Sequence, residues 1–251
     1  MKPKLRQSRI LEVVAREGEA TVEALAAEFD VSAETIRRDL AYLAMSGALQ
    51  KVHGGARRLR LHAEGSFQQR MSEDAAAKQV IARKLATIVE PGDTLFMDTG
   101  TTTLFCAEAL AEVERLTVIT NSVRVAQALS RGAGQAQVFL LGGDYGADNA
   151  QTRGALALDQ IDRFQADHAV LAVAALDPVA GVANSDFDEA QIARRMMANA
   201  THVIVVAQAA KLGRKAAHRV CRLDEVDMLV CDMVPGDAFR AALDAAQVQV
   251  R

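Results

Sequence analysis

Ser32-Ala33-Glu34-Thr35-Ile36-Arg37-Arg38-Asp39-Leu40-Ala41-Tyr42-Leu43 is the stretch on which the reading of this chain turns. Ile36, Leu40 and Leu43 fall at i, i+4 and i+7, which predicts a helix with one buried stripe. Ser32 is suited to cap it, and the helix should end near Gly47. With about 100° of turn per residue, Glu34 and Arg38 point away from the stripe, and Thr35 and Arg37 lie on its flanks. Two adjacent arginines therefore stand beside the N-terminal turn. Upstream, Ile10 and Val14 predict a first helix over 5–16, stopped by Gly18. Thr21 is an N-cap candidate for a second short helix with Val22, Leu25, Ala26 and Phe29 inward. Downstream, Gln50-Lys51-Val52-His53-Gly54-Gly55-Ala56-Arg57-Arg58 alternates and then turns at Gly-Gly, as a β-hairpin does. Two helices joined tightly, the second with outward arginines near its start, form a helix-turn-helix, and the hairpin adds a basic wing. Such a helix enters the DNA major groove. Arg bonds guanine O6 and N7 in parallel, and Ser or Thr bonds bases or phosphates. An isolated Arg-Arg pair is more often a solvated helix face; the ordered helices, caps and wing reverse that reading.

The chain has 251 residues, half of them hydrophobic, 24% charged and 4% aromatic, with no Trp. That length suits two domains with real cores. The longest apolar run, 169–176, is far shorter than the roughly 18 residues of a membrane span. The start, Met1-Lys2-Pro3-Lys4, lacks the apolar core of a signal peptide. A cytoplasmic protein without membrane attachment is expected. Cys106, Cys221 and Cys231 are odd in number and widely spaced, matching neither a disulfide framework nor a zinc pattern, and are expected to be buried thiols. Residues 1–72 hold twelve Lys/Arg against nine Asp/Glu, and residues 73–251 hold seventeen against twenty-three. A basic head on an acidic body fits a head that meets a polyanion.

The head resembles a known family. The run Arg6-x3-Ile10-x3-Val14, then seventeen residues, then Ser32-x2-Thr35-Ile36-Arg37-Arg38-Asp39-Leu40, followed by His53-Gly54-Gly55, is similar to the N-terminal signature of DeoR-type bacterial transcription regulators. The resemblance implies DNA contacts from Ser32, Thr35, Arg37 and Arg38. The wing residues Lys51, His53, Gly54 and Arg57 are further DNA-binding candidates. Asp39 is read as structural, orienting its neighbouring arginines or satisfying backbone donors.

Residues 57–72 show no period and mix charged, Gly, Ser and Gln residues, so they read as a hinge. Arg70 at its end could pair with the following domain or stay exposed. The expected organisation is a winged helix-turn-helix domain at 1–57, a linker at 58–74 and an effector domain at 75–251. From 75 onward, short apolar runs at 94–97, 116–120, 138–141, 169–173, 203–207 and 228–231 alternate with helical stretches at 75–89, 103–112, 123–131, 187–200 and 237–246. That alternation predicts a mostly parallel α/β sheet covered on both faces. Ligands of such sheets bind beyond the carboxyl strand ends, at a switch point in strand order. Three successive strand ends carry polar or Gly residues: Asp98-Thr99-Gly100-Thr101-Thr102, Asn121-Ser122 and Gly142-Gly143-Asp144. One alone would be a turn with a cap; three suggest a phosphate or sugar-phosphate pocket. There is no P-loop and no GxGxxG, which argues against a nucleotide hydrolase or dinucleotide site.

The resemblance covers nearly the whole chain and implies a body similar in fold to sugar-phosphate isomerases. It implies that loop 98–102, with Gly100, Thr101 and Thr102, holds a phosphate, and that Lys211 adds positive charge. Asp98, Asn121 and Glu189 would contact hydroxyls or shape the pocket, beside Ser122, Gly142 and Gly143. The strings 160–164 and 186–189 look most like a subgroup of the family that answers to glycerol 3-phosphate. The chain departs from the family pattern where relatives have Gly-x-x-Gly, here Ala172-Val173-Ala174-Ala175. It departs again where they have an Asp and a Ser, here Gln208 and Ala210. These changes narrow the backbone and remove partners for Lys211, so effector identity or response is placed in question.

The expected function is a DNA-binding transcriptional regulator, a repressor released from a double-stranded operator by a phosphorylated metabolite. One head reads only a half-site, so a dimer or tetramer of this chain is expected. No catalytic residue, metal or cofactor is called for. A sugar-phosphate isomerase with an appended head, and a regulator with a degenerate pocket, are the rival readings. His62, His168, His202 and His218 have no partner at metal-ligand spacing. Lys78, Arg83 and Lys84 read as a solvated helix face, Met196-Met197 as core or subunit contact, and Tyr42 as either packed or reaching a phosphate.

Overall fold

The computed structural model describes residues 3–45, 49–52, 54–57 and 64–251. The chain divides into two compact units, Met1–Leu61 and His62–Arg251. Gly47, His53, Arg58 and His62 lie outside the described residues.

The head consists of α1 (Pro3–Glu17), β1 (Glu19–Thr21), α2 (Val22–Phe29), α3 (Ala33–Met45), β2 (Gln50–Val52) and β3 (Gly55–Arg57). Thr21 caps α2, its hydroxyl accepting from the Ala24 amide at 3.1 Å. Ser32 does the same for α3, accepting from the Thr35 amide at 3.2 Å. Each cap satisfies one of the amides that a helix start leaves unpaired. Ile10, Val14, Leu25, Ile36, Leu40 and Leu43 are buried together. The wing is larger than the two strands predicted. β1 joins it, giving an antiparallel sheet in the order β1-β3-β2. This close pairing explains Gly55, where a Cβ would lie 2.3 Å from the Ala20 carbonyl oxygen.

The body opens with α4 (Phe67–Ser72) and α5 (Ala75–Ala86). α4 falls inside the stretch read as a hinge with no clear period. Ser66 caps it, accepting from the Gln69 amide at 3.3 Å. Phe67 is buried, its amide donates to Asp148 Oδ2 at 3.0 Å, and the Arg124 guanidinium lies 4.3 Å from its ring centroid. A capped turn anchored by one buried aromatic ring makes this segment part of the body. Lys78 and Lys84 correct the expected solvated face. Lys78 is buried and donates to the carbonyls of Arg70 and Glu73, and Lys84 Nζ donates to the Cys231 carbonyl at 2.6 Å. Burial, with Lys211 nearby, pushes the Lys78 pKa down.

The rest of the body runs β4 (Thr94–Met97), α6 (Thr101–Leu110), β5 (Thr117–Thr120), α7 (Val123–Ser130), β6 (Gln137–Leu140), β7 (Asp144–Gly146), β8 (Gln151–Arg153) and α8 (Ala155–Ile161). It continues with β9 (Ala166–Ala172), β10 (Ala175–Asp177), β11 (Gly181–Asn184), α9 (Phe187–Ala198), β12 (Ala200–Val206), β13 (His218–Cys221), β14 (Met228–Val230), α10 (Asp237–Ala245) and β15 (Gln249–Val250). Seven strands form one parallel sheet in the order β15-β14-β12-β9-β4-β5-β6. Alternate side chains enter two cores. Leu95 and Met97 pack with α5, α6 and α7, while Phe96 faces the layer that holds α8 and α9. The β7–β8 hairpin, the antiparallel sheet β10-β11-β13 and α8 add to the elements expected. Met196 is fully buried and Met197 packs against the same core. No helix among the described residues is long and apolar enough to cross a membrane.

Candidate functional site

In the head, α3 presents Arg37 and Arg38 outward, with side chains 53% and 81% exposed. Glu34 lies 3.7 and 3.6 Å from them, a loose pairing that water screens. The Ser32 and Thr35 hydroxyls are 2.9 Å apart at the helix start. Tyr42 is exposed. Lys51, Gly54 and Arg57 are exposed on the hairpin β2–β3. His53 lies outside the described residues. Asp39 is structural, but not in the manner expected. It is buried, and instead of orienting Arg37 and Arg38 it accepts from Arg6 Nε at 2.5 Å and from Gln7 Nε2 at 2.9 Å, both on α1.

In the body, the strand order reverses between β4 and β9, so their carboxyl ends mark the switch point. Asp98 follows β4, and its two carboxylate oxygens accept from the Ala172 amide at the end of β9, at 3.0 and 3.2 Å. Burial holds this carboxyl well above the usual range; the Ala172 amide opposes the shift and Glu189 adds to it. Gly100 begins α6 where a Cβ would lie 2.9 Å from the Ala172 methyl. Thr101, Thr102 and Thr103 are buried in the first turn. Among the described residues, Thr99 Oγ1 is buried without a hydrogen-bond partner. A partnerless buried hydroxyl beside a helix start is the chemistry that an anionic ligand would complete.

The departures from the family pattern have visible contacts. Gln208 Nε2 donates to Thr102 Oγ1 at 3.1 Å, while its Oε1 is buried and partnerless among the described residues. Ala172 supplies the methyl that faces Gly100, Ala175 pairs with Ala183, and Ala210 lines a neighbouring cavity.

Lys211 Nζ donates to the Val173 carbonyl at 2.5 Å and to Glu64 Oε1 at 3.1 Å. The other oxygen of Glu64 lies 3.1 Å from Arg70 Nη1. Arg70 Nη2 in turn donates to Asn149 Oδ1 at 2.6 Å. Asn149 Nδ2 and Gln151 Nε2 both donate to Glu189 Oε1, at 2.5 and 2.8 Å. Glu189 sits in the first turn of α9, which Asp186 caps, and burial raises its pKa, opposed by the Gln151 hydrogen bond. Loop residues 99–102, Glu189 and Lys211 thus border one space with Glu64, Arg70 and Asn149. It measures only about 10 Å³, whereas the cavity outside it, lined by Thr101, Gln208 and Lys211 among others, measures about 260 Å³.

Four predicted residues have other surroundings. Asn121 reaches Glu189 only through Gln151, whose Oε1 accepts from Asn121 Nδ2 at 3.4 Å. Ser122 caps α7, accepting from the Val125 amide at 3.3 Å. The Gly142 amide donates to Gln160 Oε1 at 2.9 Å. At Gly143 a Cβ would lie 2.4 Å from the Arg153 carbonyl oxygen. Glu64, Asn149 and Gln151 were not singled out from sequence. Arg70 was, and it does pair within the body.

His168 Nε2 lies 3.4 Å from Asp93, and its ring stacks on His202. The three cysteines are buried and free. Burial pushes the thiol pKa of Cys221 to about 12 and that of Cys231 to about 11. Among the described residues, no group of three or more His, Cys, Asp or Glu side chains is placed to hold a metal.

Two family models match the chain: a DeoR-like helix-turn-helix domain over residues 6–60 and a DeoR C-terminal sensor domain over residues 73–233. The chain is 31% identical over 245 residues to the HTH-type transcriptional repressor CsqR of Escherichia coli K12, covering 98% of this chain and 94% of that protein. It is 30% identical over 250 residues to the glycerol-3-phosphate regulon repressor of the same organism, covering 100% and 99%. Among solved structures, ribose 5-phosphate isomerase A from Methanocaldococcus jannaschii is similar to it with a TM-score of 0.41 and 15% identity, over 56% of this chain and 55% of that one.

Proposed function

The chain belongs to the DeoR family of transcriptional regulators, and on that premise we propose that it is a repressor released from its operator by a phosphorylated metabolite. Its head binds double-stranded DNA, with Ser32, Thr35, Arg37 and Arg38 of α3 in the major groove. Lys51, His53, Gly54 and Arg57 of the wing lie against the phosphates or the minor groove. Its body binds a three-carbon or sugar phosphate, glycerol 3-phosphate first among them by likeness to the named relative. The observation that carries the reading is the start of α6 at the switch point, with a Thr99 hydroxyl that has no hydrogen-bond partner among the described residues and Lys211 bordering the same space.

Release requires that the ligand bind the DNA-incompetent arrangement more tightly, because equal affinity for both states shifts nothing. Two heads are needed to read two half-sites. Leu140, Tyr145 and Leu156 are exposed large hydrophobic side chains on β6, β7 and α8 that a second copy of the chain could cover.

The isomerase reading draws on the buried Asp98 and the half-buried Glu189, two carboxyl groups with raised pKa values, as acid-base catalysis uses. Both are engaged: Asp98 by the Ala172 amide, Glu189 by Asn149 and Gln151. The helix-turn-helix has no part in that chemistry.

The test is selection of sites from a randomised duplex pool with the purified chain, followed by rebinding with glycerol 3-phosphate. A repeated half-site that the ligand weakens is the expected result. A site indifferent to every phosphorylated metabolite offered would indicate a degenerate pocket. No enriched site, with turnover of sugar phosphates, would favour the isomerase.

A further inference from the structure

The space at the start of α6 is nearly filled, and two of the groups filling it come from the segment ahead of α5. Glu64 places one carboxylate oxygen 3.1 Å from Lys211 Nζ and the other 3.1 Å from Arg70 Nη1. All three side chains are less than a fifth exposed. The residual space of about 10 Å³ is at the lower limit for a single water. A carboxylate bridging two cations beside a helix start makes the contacts that a phosphate would make there. The adjoining cavity is lined by Arg70, Lys78, Lys211 and Arg214 against Glu64, Glu73 and Asp74, so displacing Glu64 leaves four cations facing two carboxylates, and Lys211 is one cause of the lowered Lys78 pKa.

We propose that Glu64 is a built-in competitor for the effector's anionic group, holding its position between Lys211 and Arg70 until a phosphate displaces it. The proposal rests on the reading of this pocket as the phosphate site. Its consequence is a route for the signal. Glu64 lies seven residues beyond Arg57, the last residue of β3, so the ligand's charge acts on the first described residues of the body, 64–66, close in sequence to the head. The neighbouring contacts tie that segment down. The Arg70 Nε donates to the Gly65 carbonyl at 3.0 Å, and Ser66 caps α4. Expulsion of the Glu64 carboxylate removes its hold on both cations and loosens residues 64–66.

The experiment is a calorimetric titration of the full-length chain with inorganic phosphate, in the wild type, Glu64→Gln and Glu64→Ala. Hydrogen exchange is followed at the amides of 65–70 in the wild type. Both variants are expected to bind phosphate at least tenfold more tightly than the wild type, and Lys211→Ala added to Glu64→Gln should abolish that gain. Phosphate should also speed exchange at the start of the 65–70 segment, a readout that does not depend on any variant folding. Equal binding by wild type and variants, or unchanged exchange in a phosphate-saturated wild type, overturns the competitor role and leaves the phosphate site standing. Binding in none of them overturns both.

Discussion

Asp39 on α3 accepts a hydrogen bond from Arg6 on α1 at 2.5 Å, with both side chains less than a tenth exposed. The pair fixes the angle at which α3 is presented, since Gln7 on α1 holds the second oxygen of the same carboxylate. Removing one partner leaves a buried charge without its counterpart, at a cost of about 3–5 kcal/mol. Asp39→Ala should therefore lower the melting temperature of the head sharply and reduce operator binding, although Asp39 is buried against α1. Arg6→Met with Asp39→Leu should recover much of the stability. Melting curves followed by circular dichroism check both variants; a double variant as unstable as the single one would contradict the account.

Arg37 and Arg38 stand in the opposite situation, exposed and only loosely paired with Glu34. Arg37→Ala and Arg38→Ala should leave the melting temperature of the head within about 2–4 °C, as surface changes do. Each should weaken operator binding, by about 1–3 kcal/mol where the arginine reads a base. Where it contacts a phosphate, the slope of log K against log salt should fall by about one. Fluorescence anisotropy at several salt concentrations separates the two roles.

Substitution of Lys211 tests whether sensing can be separated from DNA binding. Lys211→Ala should weaken phosphorylated ligands at least tenfold, while operator binding by the ligand-free protein stays as in the wild type because Arg70 still holds the Glu64 carboxylate. The loss should be greatest for dianionic ligands and small for their dephosphorylated forms, because the removed group supplies charge. Calorimetry and DNA binding on the same preparation provide the check; loss of both activities together would point to misfolding.

The Asp98 carboxyl titrates above its usual range because burial disfavours the charged form. The sign follows from linkage. A carboxyl whose folded pKa exceeds the unfolded value favours folding below the unfolded pKa of about 3.9, and stability falls as pH rises from there through the folded pKa. Asp98→Asn retains an oxygen to accept from the Ala172 amide and cannot ionise. Its urea midpoint should exceed that of the wild type at pH 8 and lose this advantage by pH 4. A variant less stable than the wild type at pH 8 would show that the charged carboxylate is needed there.

The residues that decide the fold were legible because their signals are local. Thr21 and Ser32 are short-range caps, and the stripe Ile36, Leu40, Leu43 repeats within one helix. The apolar runs of the parallel sheet are legible for the same reason, since strands buried on both faces read as continuous hydrophobic stretches. What escaped depends on distant partners. β11 meets β13 through pairs such as Val182 and Cys221, which no periodicity within either strand reveals. α4 has six residues, less than two turns, too few to show a helical period. Lys78 looks like any surface lysine in sequence, and its burial follows from carbonyls that the turn after α4 brings to it. In the pocket, the strand-end residues were visible, but the Glu64–Lys211 pairing spans 147 positions.

The central strand β4 pairs on one side with β9, where Leu95 meets His168. This has a consequence for the order of events during synthesis. The head's core closes among residues 10–56, so its contacts are short in sequence and form early. β4 must wait for some seventy further residues before its second neighbour exists, and parallel pairing over such spans is slow. On the ribosome, a nascent chain therefore carries a finished DNA-reading module while its sensor is still an open half-sheet with exposed apolar edges. For that interval the chain exposes strand edges and apolar faces that the finished sheet buries, the condition in which partly made sheets are prone to aggregate.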